Sequence, residues 1–200
     1  SYMFYNCNQL KSVYFGTSYS LKVIDTSFMF YGCTNITTIS NIFSSSDSNS
    51  YINMDSMFYQ CINLEYLDIN NLMTNNLTNN MNKTFYDCQS LMSLYLSDYK
   101  AASDVSQMFY NCYSLVSINL SNFDVSLATD MTNMFSNCIN LTKIYSSNFK
   151  AENVQTMDHM FYNCSKLISV NLESFQTPFL ENFDYMFYQC QSLISLNLSS

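Results

Sequence analysis

Apolar residues recur along this chain at two alternating spacings. In Val154, Met157, Met160, Phe161 and Cys164 they stand three and four apart, the stripe of a short helix or 3₁₀ segment. In Val170-Asn171-Leu172 and Ile118-Asn119-Leu120 they alternate with a polar residue, as along a short strand. The pair of patterns returns throughout. Each of Phe4, Phe30, Phe58, Phe85, Phe109, Phe135, Phe161 and Phe187 precedes a cysteine by three residues. Three residues after that cysteine stands Leu10, Ile36, Leu64, Leu91, Leu115, Leu141, Leu167 or Leu193, and six after it Val13, Ile39, Leu67, Leu94, Ile118, Ile144, Val170 or Leu196.

The cysteines mark the period. Cys7, Cys33, Cys61, Cys88, Cys112, Cys138, Cys164 and Cys190 are separated by 26, 28, 27, 24, 26, 26 and 26 residues, which makes eight repeats with one cysteine each. A unit of one short strand and one short helical or 3₁₀ turn cannot bury its apolar side alone, so neighbours must stack around a continuous core. The expected fold is an α/β repeat solenoid of eight coils, one domain over 1–200.

Composition narrows the function. Charged residues are only 11% and hydrophobic residues 48%, so a disordered chain is excluded. Seven lysines against fifteen acidic residues give a net charge of −8, which repels a phosphate backbone and excludes nucleic acid as a partner. No apolar run reaches the roughly 18 to 20 residues that cross a bilayer, so this segment is not expected to insert into a membrane. One histidine, His159, no Gly-rich phosphate loop and no G-x-S-x-G leave no route to catalysis beyond scattered aspartates, and no enzyme activity or cofactor is expected. Asp124, Asp130, Asp158 and Asp184 read as solvated turn residues rather than calcium ligands.

The repeat M-F-Y-x-C-x-x-L-x-x-L-x-L is clearest in Met108-Phe109-Tyr110-Asn111-Cys112, continued by Leu115, Ile118, Leu120 and Ser121-Asn122-Phe123-Asp124. It resembles the leucine-rich repeat, and specifically the BspA-like branch found on cell-surface proteins. The resemblance covers the whole chain and implies a right-handed solenoid. It departs around Asn41 to Ser50, where a Ser/Asp/Asn run lengthens a turn, and at Lys100 to Asp104, where the unit is short.

Several columns are candidate sites. The cysteine column admits disulfides, a metal ladder or packing. One histidine and no C-x-x-C pair disfavour zinc, and parallel in-register side chains stand near ~4.8 Å apart, beyond the ~3.8 Å Cβ spacing of a disulfide. Buried free thiols are the favoured reading. Tyr5, Tyr31, Tyr59, Tyr86, Tyr110, Tyr162 and Tyr188 follow the phenylalanines, with Ser136 in the remaining repeat. They form an expected aromatic ladder, serving ring stacking, glycan binding or lateral packing.

Outward strand positions make the face that such solenoids present as concave and use for binding, here carrying Tyr14, Tyr66, Asp68, Tyr95, Asn119, Tyr145, Asn171 and Asn197. Their neutral, hydroxyl and aromatic chemistry suits a sugar or a polar protein surface. Seven N-x-S/T sequons occur where chance alone predicts roughly six, so their number is no evidence of glycosylation; Asn76 and Asn82 are the favoured acceptors. Asparagine is expected to replace glycine at left-handed turn positions and to stack in hydrogen-bonded ladders.

These readings converge on a non-enzymatic extracellular or cell-surface structural or adhesion protein, with copies of itself, glycans or surface proteins as partners. The alternative is an intracellular scaffold that binds one protein on its concave face. Both terminal repeats match the middle in composition, so a longer array or an end-to-end filament is expected.

Overall fold

The computed structural model describes residues 2–15, 25–40, 53–67, 80–96, 104–121, 123–147, 149, 151–173 and 175–197. Asp68 and Asn76 lie outside the described residues, and Tyr95 is described by its backbone alone. The chain is a β-solenoid; among the described residues eight short strands are found, one after each cysteine. They are β1 (Ser12–Tyr14), β2 (Thr38–Ser40), β3 (Tyr66–Leu67), β4 (Ser93–Tyr95), β5 (Ser117–Asn119), β6 (Lys143–Tyr145), β7 (Ser169–Asn171) and β8 (Ser195–Asn197).

Parallel pairing runs β1-β2-β3, β4-β5-β6 and β7-β8, and β3 lies beside β4 and β6 beside β7. The register is set by the repeat: Val13 faces Ile39, Leu94 faces Ile118, Ile118 faces Ile144 and Val170 faces Leu196. A one-residue slip would turn every one of these apolar side chains to solvent, which pins the pairing. The middle residue of a strand points inward, and Ile39, Leu67, Leu94, Ile118 and Val170 are buried.

Phenylalanine fills the centre. From Phe4 to Phe187 the rings of successive repeats stack at 5.1 to 5.6 Å between centroids, within 11° of parallel. Methionines 29, 57, 108, 134 and 160 pack beside them, all buried. In the fourth repeat Thr84 takes the methionine's place and is fully buried. Its hydroxyl donates to the Met54 and Met81 carbonyls at 3.0 and 2.8 Å, so the polar atom is satisfied.

The helical half of the α/β expectation is not found: among the described residues there is no helix, and the segment before each cysteine is a run of tight turns. The spacing of three belongs to those turns. Met29, Cys33 and Ile36 each donate their N–H to the carbonyl three residues back, at 3.1, 3.0 and 3.2 Å. Between them, Phe28, Phe30 and Gly32 donate instead to the next repeat, on Asp55, Met57 and Tyr59 at 3.0, 2.9 and 2.8 Å. In a helix every N–H would stay within its own segment; here alternate N–H groups are turned along the stacking axis.

Left-handed residues turn them. From the second repeat on, two positions, one and five before the cysteine, hold positive φ, as at Asn137 (64°) and Asn133 (57°) or Gln60 (58°) and Ser56 (52°). The position just before the cysteine is Asn in four of the eight repeats, as expected of the residue that best tolerates this conformation after glycine, and Gln or Asp in three. Gly32 takes it in the second repeat, where the carboxamide oxygen of Asn6 occupies the space a Cβ would need. The earlier position is less selective and admits Phe28, Lys83, His159 and Tyr185.

Candidate functional site

Three columns hold the polar and aromatic side chains, and each is consumed to a different degree by contacts between repeats. The cysteines are consumed most. Each thiol from Cys33 to Cys190 donates to the carbonyl of the phenylalanine one repeat back, at 2.9 to 3.2 Å. That carbonyl also closes the turn of its own repeat. Cysteine is thus the small apolar residue that still supplies a donor.

All eight cysteines are unpaired, six of them buried. Cys7 is exposed and Cys190 half-buried. Burial pushes the Cys33 and Cys190 thiols up to about 11, and Cys61, Cys88, Cys112, Cys138 and Cys164 well above the usual thiol range. Such thiols are poor nucleophiles.

Tyrosines form the expected ladder. Tyr5, Tyr31, Tyr59, Tyr86 and Tyr110 stack at 4.9, 4.5, 4.6 and 4.8 Å, Ser136 interrupts, and Tyr162 and Tyr188 resume at 5.3 Å. Because interior rings have both faces against neighbours, they offer edges and hydroxyls outward. A sugar needs a free ring face, so this geometry favours ring stacking over glycan binding here. Burial, then the neighbouring Tyr59 and Tyr110, pushes the Tyr86 phenol up to about 12.

Asparagines build a third ladder just before the cysteines. Asn163 donates to Asn137 at 2.9 Å, Asn137 to Asn111 at 2.9 Å, and Asn111 to the Asp87 carboxylate at 2.8 Å. Eight residues before each cysteine runs a column that the sequence reading overlooked: Asp25, Asn53, Asn80, Asp104, Asp130 and Asn182 each accept the N–H two residues on, at 2.7 to 3.0 Å. Its signal is a recurrent Asp or Asn at that offset, each making an Asx turn. Asp130 therefore caps a turn, and Asp124 does the same for Ser126 at 3.0 Å. Among the described residues no three metal-binding side chains cluster.

Asn82 belongs to this internal bonding. Its amide nitrogen, the atom a glycan would take, donates to Asp104 at 3.0 Å and Ser106 at 2.7 Å. Attachment of a glycan would replace one of these two N–H groups.

The strand face is left open. Tyr14, Tyr66 and Tyr145 are 68%, 60% and 47% exposed. Asn119 and Asn171 are held by their own turns, accepting the N–H groups of Ser121 and Glu173 at 2.9 Å each, which leaves their amide nitrogens as donors. Asn197 donates to Glu173 at 3.3 Å. The Lys143 ammonium sits 4.5 Å from the centre of the Tyr145 ring. Two hollows share that ring. One, about 550 Å³, is lined by Ser121, Tyr145, Ser146, Ser147, Asn171 and Glu173; the other, about 290 Å³, by Ser93, Ser117, Asn119 and Tyr145 with strand backbone. The sequence reading placed Tyr145, Asn119 and Asn171 on this face but did not assign to it Ser121, Ser147 and Glu173, which recur nine residues after Cys112, Cys138 and Cys164 just beyond the strand ends, nor Ser146, which stands where Leu120 and Leu172 stand in the neighbouring repeats.

The model of the BspA type leucine rich repeat region matches residues 1–141, in six copies. A second family model, described as a Mycoplasma protein of unknown function, matches 103–199. No curated protein matches the chain. Among solved structures, a leucine-rich repeat protein of T. pallidum is similar at 20% identity and TM-score 0.50, over 82% of this chain and 68% of that one. A leucine rich cell surface protein of Faecalibacterium prausnitzii A2-165 is 13% identical at TM-score 0.38, over 100% of this chain and 62% of that one. The first of these likenesses shows the leucine-rich-repeat fold.

Proposed function

Because this chain belongs to the BspA-type leucine-rich repeat family, we propose that it is a non-enzymatic structural or adhesion protein of the cell surface or extracellular space. In this reading residues 1–200 wind as one right-handed solenoid of eight coils. Further coils, from the same chain or from a second copy, extend it into an array or fibre.

The observation that carries the reading is how the polar side chains are spent. Thiols, carboxamides and the phenol rings of the ladder are bound between repeats and the turn carboxylates within them, while Tyr14, Tyr66 and Tyr145 stand open on the strand face. A surface of that kind binds rather than catalyses. The test is labelling of intact cells of the source with a membrane-impermeant biotin reagent. Labelling before lysis is the expected result, and labelling only after lysis would overturn the surface assignment. Light scattering of the purified chain tests assembly: particles that grow with concentration are expected of a fibre, and a monodisperse 23 kDa species counts against one.

One observation favours the second reading, an intracellular scaffold with a protein on its strand face. All eight cysteines are unpaired, as a reducing compartment keeps them. Labelling only after lysis is what this reading expects.

A further inference from the structure

We infer that the two hollows lined by Tyr145 form a binding site for a neutral oligosaccharide. The inference rests on the surface reading only for where such a ligand comes from; the site itself stands on its own chemistry.

Sugars present two kinds of surface, hydroxyl groups around the rim of the ring and apolar C–H patches on its faces. Tyr145 offers the aromatic surface for the second. It is the exposed ring common to both hollows, and the Lys143 ammonium 4.5 Å from its centre takes one face and steadies it, leaving the other face and the edge to a ligand. The hydroxyl-reading groups surround it. The Asn171 oxygen is already committed to the Glu173 N–H, so its amide nitrogen is aimed as a donor. One Glu173 oxygen takes the Asn197 amide at 3.3 Å, and the other is left to accept from a sugar hydroxyl. Ser121 and Ser147 share a bond of 2.9 Å that a sugar hydroxyl can join from either side.

Charge selects the class. Lys143 and Glu173 offset each other at the site, while the chain as a whole carries −8, so uronic, sialylated or sulfated glycans are repelled. The hollows, about 550 and 290 Å³, fall within or just below the range of small-ligand sites and share the Tyr145 ring in their lining. That arrangement suits a short chain of sugar rings crossing Tyr145 rather than a single hexose.

The test is a glycan array carrying neutral, sialylated and sulfated oligosaccharides, probed with the purified chain, followed by titration of the best neutral binder. Binding confined to neutral glycans is expected. Tyr145→Ala should weaken it by at least about tenfold, Tyr145→Phe by no more than about threefold, and Glu173→Gln by several-fold, with Leu127→Ala, on an exposed position elsewhere, unchanged. Far-ultraviolet circular dichroism separates loss of binding from loss of fold; if Tyr145→Ala does not fold, the Glu173→Gln titration decides. Binding to acidic glycans alone, to a protein partner alone, or no binding at millimolar glycan overturns the site. Binding that survives both Tyr145→Ala and Glu173→Gln also overturns it. Since the assay uses purified protein, a null result leaves the cell-surface reading to its own labelling test.

Discussion

The thiol of Cys112 donates to the carbonyl oxygen of Phe85 at 3.2 Å, and the amide N–H of Cys88 donates to the same oxygen at 3.1 Å. One acceptor thus ties the turn of its own repeat to the side chain of the next. Cysteine at this position is a bonded core residue, and its replacements can be ranked. Cys112→Ala removes the donor and opens a small void, and is expected to cost about 1 to 2 kcal/mol. Cys112→Ser would be expected to cost more if its hydroxyl had no partner, but here it inherits the Phe85 oxygen. Urea unfolding should therefore find Ser no worse than Ala; a serine variant less stable than alanine by more than about 1 kcal/mol contradicts the bond.

Buried thiols also set the response to alkali. Unfolded, these groups ionise near 9.0; folded, Cys33 and Cys190 hold their protons to about 11 and the five between them are likewise pushed well above the usual thiol range, because burial penalises the thiolate. Above pH 9 the unfolded chain releases protons that the folded chain keeps, so their contribution to stability, fully present below pH 9, is lost as pH rises through 11. Tyr86, pushed to about 12, acts in the same direction. Stability should fall steadily from pH 9 upward, measured by unfolding midpoints. At pH 8, iodoacetamide should modify the exposed Cys7 rapidly and the six buried cysteines only in denaturant.

Stacking of the tyrosines is graded along the ladder. Tyr86 lies between Tyr59 and Tyr110, with centroids at 4.6 and 4.8 Å, whereas Tyr110, where Ser136 interrupts the ladder, stacks on Tyr86 on one side alone. With each pair contributing about 0.5 to 1.5 kcal/mol beyond burial, Tyr86→Ala should cost about 1 kcal/mol more than Tyr110→Ala in chemical denaturation. Equal losses would mean that the ladder is decoration rather than structure.

Much of this architecture was legible because the repeat writes each contact several times. The column of Leu94, Ile118, Ile144 and Val170 foretold both the strands and their register. The helix was misread because Val154, Met157, Met160 and Cys164 fit a spacing of three whether the bonds run within a helix or within successive tight turns. Only the N–H groups distinguish the two, and His159 and Phe161 send theirs to Asp184 and Met186 of the next repeat. The site around Tyr145 was half legible. Its strand residues alternate outward as the period requires; Ser147 and Glu173 also recur, nine residues after their cysteines, but they lie past the strand, where alternation no longer says which way a side chain faces.

The asparagine ladder separates backbone strain from hydrogen bonding at a single residue. Asn137 holds φ at 64°, donates its amide to Asn111 and accepts that of Asn163, both at 2.9 Å. Asn137→Ala loses both bonds and also sets a Cβ in the left-handed region without the local bonding that makes Asn tolerant there, a penalty of about 1 to 2 kcal/mol. Asn137→Gly loses the same bonds but relieves the strain, at some cost in unfolded-chain entropy of about 0.5 to 1 kcal/mol. Glycine should thus be the milder replacement by up to about 1 kcal/mol, and Asn137→Asp, which keeps the acceptor for Asn163 but faces the Asn111 oxygen with a negative charge, should worsen as pH rises through the carboxylate range. Unfolding midpoints of the three variants at pH 3.5 and pH 7 check the order. Alanine as stable as glycine would show that the left-handed turn is not held at this residue, and an aspartate variant indifferent to pH would show that the ladder is open to water.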